Sequence, residues 1–402
     1  MKLKKYIYGV ALGVLSLTLT SCYNADKEFP DYEGGTTAFF AFQFPVRTLV
    51  LGNDIYDNSL DNDHKCRIWA TMGGAYSGRN AVVNFVVDES LCDNLFFTDA
   101  GGNAANPVLP LPSTHYQLLG NTIPYNGDMR GYVEVQFTDA FFSDPKAVEN
   151  TYVIPLCMTG VSGIDHILTG SPREGLTPQR QNTSDWETPA KDYVLYCVKY
   201  MNPWQARYIR RGLDELTENG VTIKNVRKDF SLANSDVEHI KENPVNQNDE
   251  VCEITTKNMT QALFPVSVVI GQNEKGEKRP SQTCNVILTF NGDKCVITAE
   301  DAADVEFTGG TGEFIVQGTK LPEYKDYIWG NNEGEQVHRD ILRLSYGVTF
   351  KKGKLIGTHL VNSIEENWYL EDDVHVNIND TLVVQTRVSN KKESFNKLYV
   401  KP

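Results

Sequence analysis

Alternating or β-branched runs recur along the chain at Phe39–Phe44, Val82–Val87, Tyr132–Thr138, Thr151–Met158, Tyr193–Tyr200, Phe264–Ile270, Asn285–Phe290, Cys295–Thr298, Ile341–Phe350 and Thr381–Thr386. Successive side chains of a strand point to opposite faces, so a two-residue period predicts strands with one face buried. Clusters of Gly, Asn, Asp and Pro bound these runs, as turns require. Helical periodicity is weak and confined to Ala206–Thr217 and Val237–Glu242. Many short strands joined by polar turns predict a mostly β protein built of sandwiches or barrels.

The same pattern divides the chain. Gly170 to Asp192 (GSPREGLTPQRQNTSDWETPAKD) carries no apolar period and reads as a long loop or linker. Tyr193–Tyr200 then closes a first domain, 37–201, and Asn202-Pro203-Trp204 forms a hinge into a second, 202–402; a cut near residue 175 is the alternative. Within the second, TCNVILTF-NGD-KCVITA predicts a hairpin turning at Asn291-Gly292, with Cys295 opposite Leu288 and in the core with Cys284.

One apolar run is different. Ile7–Leu19 follows Lys2, Lys4 and Lys5 and ends in Leu19-Thr20-Ser21-Cys22. It is shorter than the ~20 residues of a membrane span and has the order of an export signal. Its last four residues resemble a bacterial lipobox, whose cysteine receives diacylglycerol. The expectation is a signal peptide over 1–22, lipid on Cys22 and a polar tether over 23–36. The acidic residues after Cys22 resemble the surface-export signal of Bacteroidetes lipoproteins, which implies an outer-membrane lipoprotein facing the cell exterior.

Charge narrows the partners. A formal net charge of −14 in 402 residues argues against nucleic acid and against direct docking on anionic lipid. Contact with a membrane is then expected through the lipid anchor only. Eight cysteines less Cys22 leave seven, without CxxC spacing, and they read as free core thiols.

Candidate chemistry is sparse. The seven histidines show no HxH or HExxH, so no metal and no cofactor is expected. The acidic loop Asp54–His64 lacks the ligand order of a calcium loop and reads as a turn whose side chains cap backbone. No GxSxG occurs, and FTGGTGEF at 307–314 lacks the Lys-Ser/Thr of a phosphate loop, so its glycines predict a hairpin or bulge. The carboxylate pairs Glu365-Glu366 and Asp372-Asp373 read as solvated loop. Aromatic rings beside polar groups are what a sugar stacks on. Trp69 and Trp204 read as core, the latter like the tryptophan at the base of lipocalin-like barrels, and Trp329 reads as packing. Trp368, Tyr369 and Trp186 lie in polar surroundings and are the candidate glycan contacts.

Four stretches carry a resemblance: TLVLGNDIYDNSLDNDHKC, IWATMGG, VEVQFTDAFFSDPKAVENTYVIPLCMTGVSG and KDYVLYCVKYMNPWQARYIRRG. Together, over residues 37 to 212, they resemble a family of Bacteroidetes lipoproteins with an N-terminal domain of unknown function. That domain also precedes the catalytic barrel of certain chitinase-type endo-β-N-acetylglucosaminidases. Residues 213 to 402 resemble its β-rich companion, with WGN at 329–331 and DTLV at 380–383 as anchors. The resemblance implies an immunoglobulin-like sandwich followed by a lipocalin-like barrel or jelly roll. It also implies a place in a polysaccharide-utilisation system beside an outer-membrane glycan importer, binding carbohydrate such as N-glycans. The endoglycosidase's DxxDxDxE run is absent. The expected function is non-catalytic glycan binding. The alternatives are an adhesin or fimbria-like subunit, disfavoured by the short tether, and a glycoside hydrolase accessory enzyme.

Overall fold

A computed structural model describes residues 30–400, apart from 53–56, 228–249, 274, 277, 301–303, 328, 331–335, 362–363, 388–392 and 396–397. Cys22, the first half of the tether (23–29) and Val237–Glu242 therefore lie outside the described residues. The protein is mostly β, a sandwich followed by a barrel.

The sandwich is built from β1 (Thr37–Phe39), β2 (Pro45–Val50), β3 (Lys65–Gly73), β4 (Val82–Val87), β5 (Tyr116–Leu118), β6 (Thr122–Pro124), β7 (Arg130–Phe137), β8 (Tyr152–Ser162), β9 (His166–Ile167) and β10 (Tyr193–Met201). One sheet runs β9-β1-β3-β7-β5 and the other β2-β10-β8-β4-β6. Alternation along β3 sends Cys66, Ile68, Ala70 and Met72 inward, where they meet Val83, Ile154, Leu156 and Val198 of the facing sheet. β8 and β10 are apolar on both faces because a second core, with Leu91, Leu95, Phe97 and Val108, covers their other side. The Gly170–Asp192 stretch is part of that cover and not a free linker. Trp186 and Ala190 pack into the second core, and Gln181 donates to the Leu91 carbonyl at 2.9 Å.

The second domain is formed by β11 (Ala206–Glu218), β12 (Glu250–Thr256), β13 (Gln261–Val268), β14 (Gln282–Asn291), β15 (Lys294–Ala299), β16 (Val305–Ile315), β17 (Ile341–Phe350), β18 (Leu355–Val361), β19 (Ile364–Tyr369) and β20 (Val374–Thr386). Among the described residues, eight strands follow the order β11-β12-β13-β14-β15-β16-β17-β20, and β20 returns to β11. This closed meander is the lipocalin-like alternative, not the jelly roll. β18 and β19 form a separate hairpin. The weak helix expected over Ala206–Thr217 is instead β11, which is paired with β12 and β20 on its two edges. Those tertiary hydrogen bonds override a marginal local preference. The β14–β15 turn also differs. Asn291 pairs Lys294 and Phe290 faces Cys295, so the turn is Gly292–Asp293, with Gly292 at φ +61°. Glycine holds that first central position in a II′ turn, and Cys295 stays on the core face.

Two features join the domains. Asn202 is fully buried, and its N–H and side chain make five hydrogen bonds. Its N–H donates to Thr256 Oγ1 and its Nδ2 to the Asn258 and Gln261 carbonyls, while Oδ1 accepts from the Trp204 and Gln205 N–H groups. The expected hinge is thus a pinned junction. The chain's end then comes back: β21 (Glu393–Phe395) pairs β2, and β22 (Leu398–Val400) pairs the strand Leu95–Thr98. The last strands belong to the sheets of the first domain, although the sequence places all of 202–402 in the second.

Candidate functional site

The barrel lumen is the first place to look, and it is full. Eight strands leave an interior that side chains fill or that holds one small ligand. Here it holds Phe264, Val286, Leu288, Val348, Val376 and Ile378 among other buried residues. Trp204 stacks on Phe290 at one end, with centroids 3.8 Å apart and 5° between planes. Ile356, Trp368 and Leu370 pack into the core at the other. The centre carries Arg210, whose Nε donates to Asp380 at 2.9 Å and whose Nη1 donates to Glu250 and to the Ser267 carbonyl. The Tyr346 hydroxyl donates to the second Asp380 oxygen at 2.9 Å. Burial alone would weaken Arg210's hold on its proton, but the Asp380 carboxylate, Tyr346 and Glu250 more than reverse this. The network is an internal ion pair and presents no open face to a substrate.

The sequence-derived contacts fare unevenly. Trp186 is buried, and its Nε1 donates to the Gln179 carbonyl at 2.9 Å. Trp368 is 8% exposed and stacks on His359. Neither ring offers a free platform, because each supplies the apolar cover that its polar neighbours in sequence cannot. Tyr369, next along β19, points the other way and is 49% exposed, its hydroxyl accepting from Asn367. Cys22 lies outside the described residues. In the acidic loop, Asp57 accepts from the Ser59 N–H, Asn62 from Gly52, and buried Asp61 from Val50 and Arg47. The described part of that loop caps backbone. Burial pushes the Cys197 and Cys295 thiols up to about 12, so neither supplies a thiolate at neutral pH.

Trp69, read from sequence as core, faces solvent. On β3 it shares parity with Lys65 and Arg67, opposite the buried Cys66, Ile68 and Ala70. It is 38% exposed and lies directly across from Tyr132 of β7, itself 36% exposed. The two centroids are 4.7 Å apart. Arg130 sits over the Trp69 ring at 4.6 Å and Arg67 over the Tyr132 ring at 4.3 Å. Glu134 accepts from Arg67 and pairs with Lys65 at 3.0 Å. The result is a diagonal Arg–Trp–Tyr–Arg–Glu ladder on the open face of the sandwich. Each cation over a ring contributes ~0.5–1 kcal/mol at an exposed site, so the side chains are held in place before any ligand arrives. Aromatic faces are electron-rich and attract the C–H edges of a sugar ring. Guanidinium donors and a carboxylate acceptor stand beside them for hydroxyls. Reading parity along KCRIWATMG finds this site, whereas the run's apolar character hides it.

Comparison with known proteins places the chain without assigning it an activity. Residues 203–388 match a family model described as a domain of unknown function (DUF5627), and residues 32–165 match one described as an N-terminal domain. No curated protein matches. A crystal structure of unknown function from Bacteroides ovatus is 33% identical, covers 92% of this chain and 100% of its own, and superposes with a TM-score of 0.70. A multidomain Bacteroides ovatus protein including DUF1735 aligns at 9% identity and TM-score 0.35, over 89% of this chain and 93% of its own. Another from the same species, described as a proposed carbohydrate binding protein, aligns at 11% and 0.24, over 88% and 100%. At those scores neither alignment supports a statement about function. The relative at 33% identity does define kinship: the chain belongs to the same family as that Bacteroides ovatus protein, and its residues 203–388 match DUF5627.

Proposed function

We propose that this protein is a non-catalytic, lipid-anchored glycan-binding protein of the outer-membrane surface, serving a polysaccharide-utilisation system beside a glycan importer. The observation that carries the reading is the exposed Trp69–Tyr132 pair, held between Arg130 and Arg67 on an otherwise polar sheet face. Exposed aromatics flanked by fixed hydrogen-bonding groups suit sugar rings, which present an apolar face and a polar rim. A packed lumen and protonated, buried thiols favour binding over catalysis. Placement at the surface rests on the Lys2–Cys22 segment and its lipobox-like end.

The test is affinity electrophoresis through gels loaded with candidate host and plant glycans, followed by calorimetry on the retained ones. Trp69→Ala with Tyr132→Ala is expected to abolish retention while shifting the unfolding midpoint little, since both rings lie on the surface. Retention equal to that of the unaltered protein would remove the ladder as the site. Mass spectrometry of the mature N-terminus checks the anchor, the expected mass being that of a diacylglyceryl-modified Cys22.

A further inference from the structure

The glycine-rich stretch 307–314 creates a second site. It lies in β16, which carries a bulge between Phe307 and Gly310 and turns Gly309 to φ +85°. A Cβ on Gly312 would stand 2.5 Å from Leu344 Cδ2, 2.6 Å from the Arg343 carbonyl and 2.7 Å from Cys295 Sγ; one on Gly310 would stand 2.4 Å from Tyr346 Cβ. These distances are shorter than real side chains tolerate. Glycine therefore lets β16 sink toward the barrel interior between β15 and β17. The outside of the wall dips correspondingly, into a groove of about 800 Å³.

Strand register sets what lines it. Lys294, Glu313 and Arg343 are consecutive partners across β15, β16 and β17, all exposed. A parallel row brings Thr311, Ser345 and Asn379 alongside, with the Ser345 hydroxyl donating to Asn379 at 2.8 Å. Among the described residues neither Lys294 nor Arg343 is in an ion pair. Arg343 instead lies within electrostatic reach of the buried Tyr324, which packs with Ile341 and Val383. Strands are ~4.8 Å apart, so the backbone positions of Lys294 and Arg343 stand about 10 Å apart, with Glu313 between them. That spacing is on the scale of one disaccharide repeat. Asp380 also lines the groove but is neutralised by the buried Arg210, which leaves two cations to one anion, a balance that selects for negative charge in a protein of net charge −14. The central Glu313 and the flanking hydroxyls and amide suit a hydroxyl-rich ligand rather than a phosphate backbone.

We infer that this groove binds acidic oligosaccharide bearing carboxylates on alternate sugars, Lys294 and Arg343 each taking one carboxylate while Glu313, Thr311 and Asn379 take hydroxyls. The ligand class rests on the glycan reading above; the site is separate from the Trp69–Tyr132 ladder. Calorimetry of the purified full chain with a hyaluronan hexasaccharide, and with its carboxyl-reduced form, is the test. The acidic probe should bind, and Lys294→Ala and Arg343→Ala should each weaken it about tenfold, as loss of a charge-assisted hydrogen bond does. Trp69→Ala should leave it unchanged, and the reduced probe should not bind. Equal binding by the groove variants, or by the reduced probe, overturns the inference. So does an acidic probe that binds nowhere or only through Trp69 and Tyr132. In those cases retention of other glycans by the ladder would keep the broader reading alive, whereas no glycan retention at all would end both.

Discussion

Arg210 shows how a single residue can hold a barrel together without having a role at its surface. Its side chain and that of Asp380 are both fully buried. A buried pair is expensive to desolvate, and removing one partner strands the other in a medium that cannot solvate it. Arg210→Met is therefore expected to destabilise the barrel by about 3–5 kcal/mol, read as a lower urea midpoint. Arg210→Met combined with Asp380→Leu should recover the larger part, because no lone charge remains. A single variant as stable as the parent would show that the network is not what holds β11 to β20. Asp380, which opens the DTLV run at 380–383, supplies the anion that the interior arginine requires.

At the scale of elements, the two tryptophans of uncertain context exchange roles. Trp69 sits in an apolar-looking strand yet faces out, and Trp368 sits in a charged-looking segment yet fills the barrel end with Ile356 and Leu370. Trp368→Ala is expected to cost about 3–5 kcal/mol and to lower the thermal midpoint, as large-to-small changes in a core do. Trp69→Ala should stay within ~0.5–1 kcal/mol, the size of its exposed cation contact. A Trp368→Ala protein that melts like the parent would mean that the β18–β19 hairpin does not close the barrel. The parity of β3 was legible in KCRIWATMG. The burial of Trp368 was not, because among the described residues β18 and β19 pair with each other alone, and their placement against the barrel end is a matter of tertiary packing.

For the molecule as a whole, the returning tail and the buried Asn202 make the two domains mechanically continuous. β21 extends the sheet at β2, and β22 covers the strand Leu95–Thr98. A chain ending at Arg387 should show faster amide exchange at Val46–Val50 and Leu95–Thr98, while exchange in β13 and β14 stays the same. Local opening free energies track the pairing that is lost. Unchanged protection at both segments would show that the tail contributes nothing to the sandwich.

What the sequence by itself determined is the β class, the core identity of most alternating positions and the free-thiol character of the cysteines. These depend on local period and composition, which a strand expresses wherever it is placed. Only the tertiary structure decided that β11 is a strand, that the tail serves the first domain, that the linker is a packed cover, and which aromatics meet solvent. It also decided that the glycines of β16 dent the barrel wall and align Lys294, Glu313 and Arg343. Each of these depends on register between strands far apart in the chain, and register is set by closure of the barrel and complementary packing, which no local window of sequence contains.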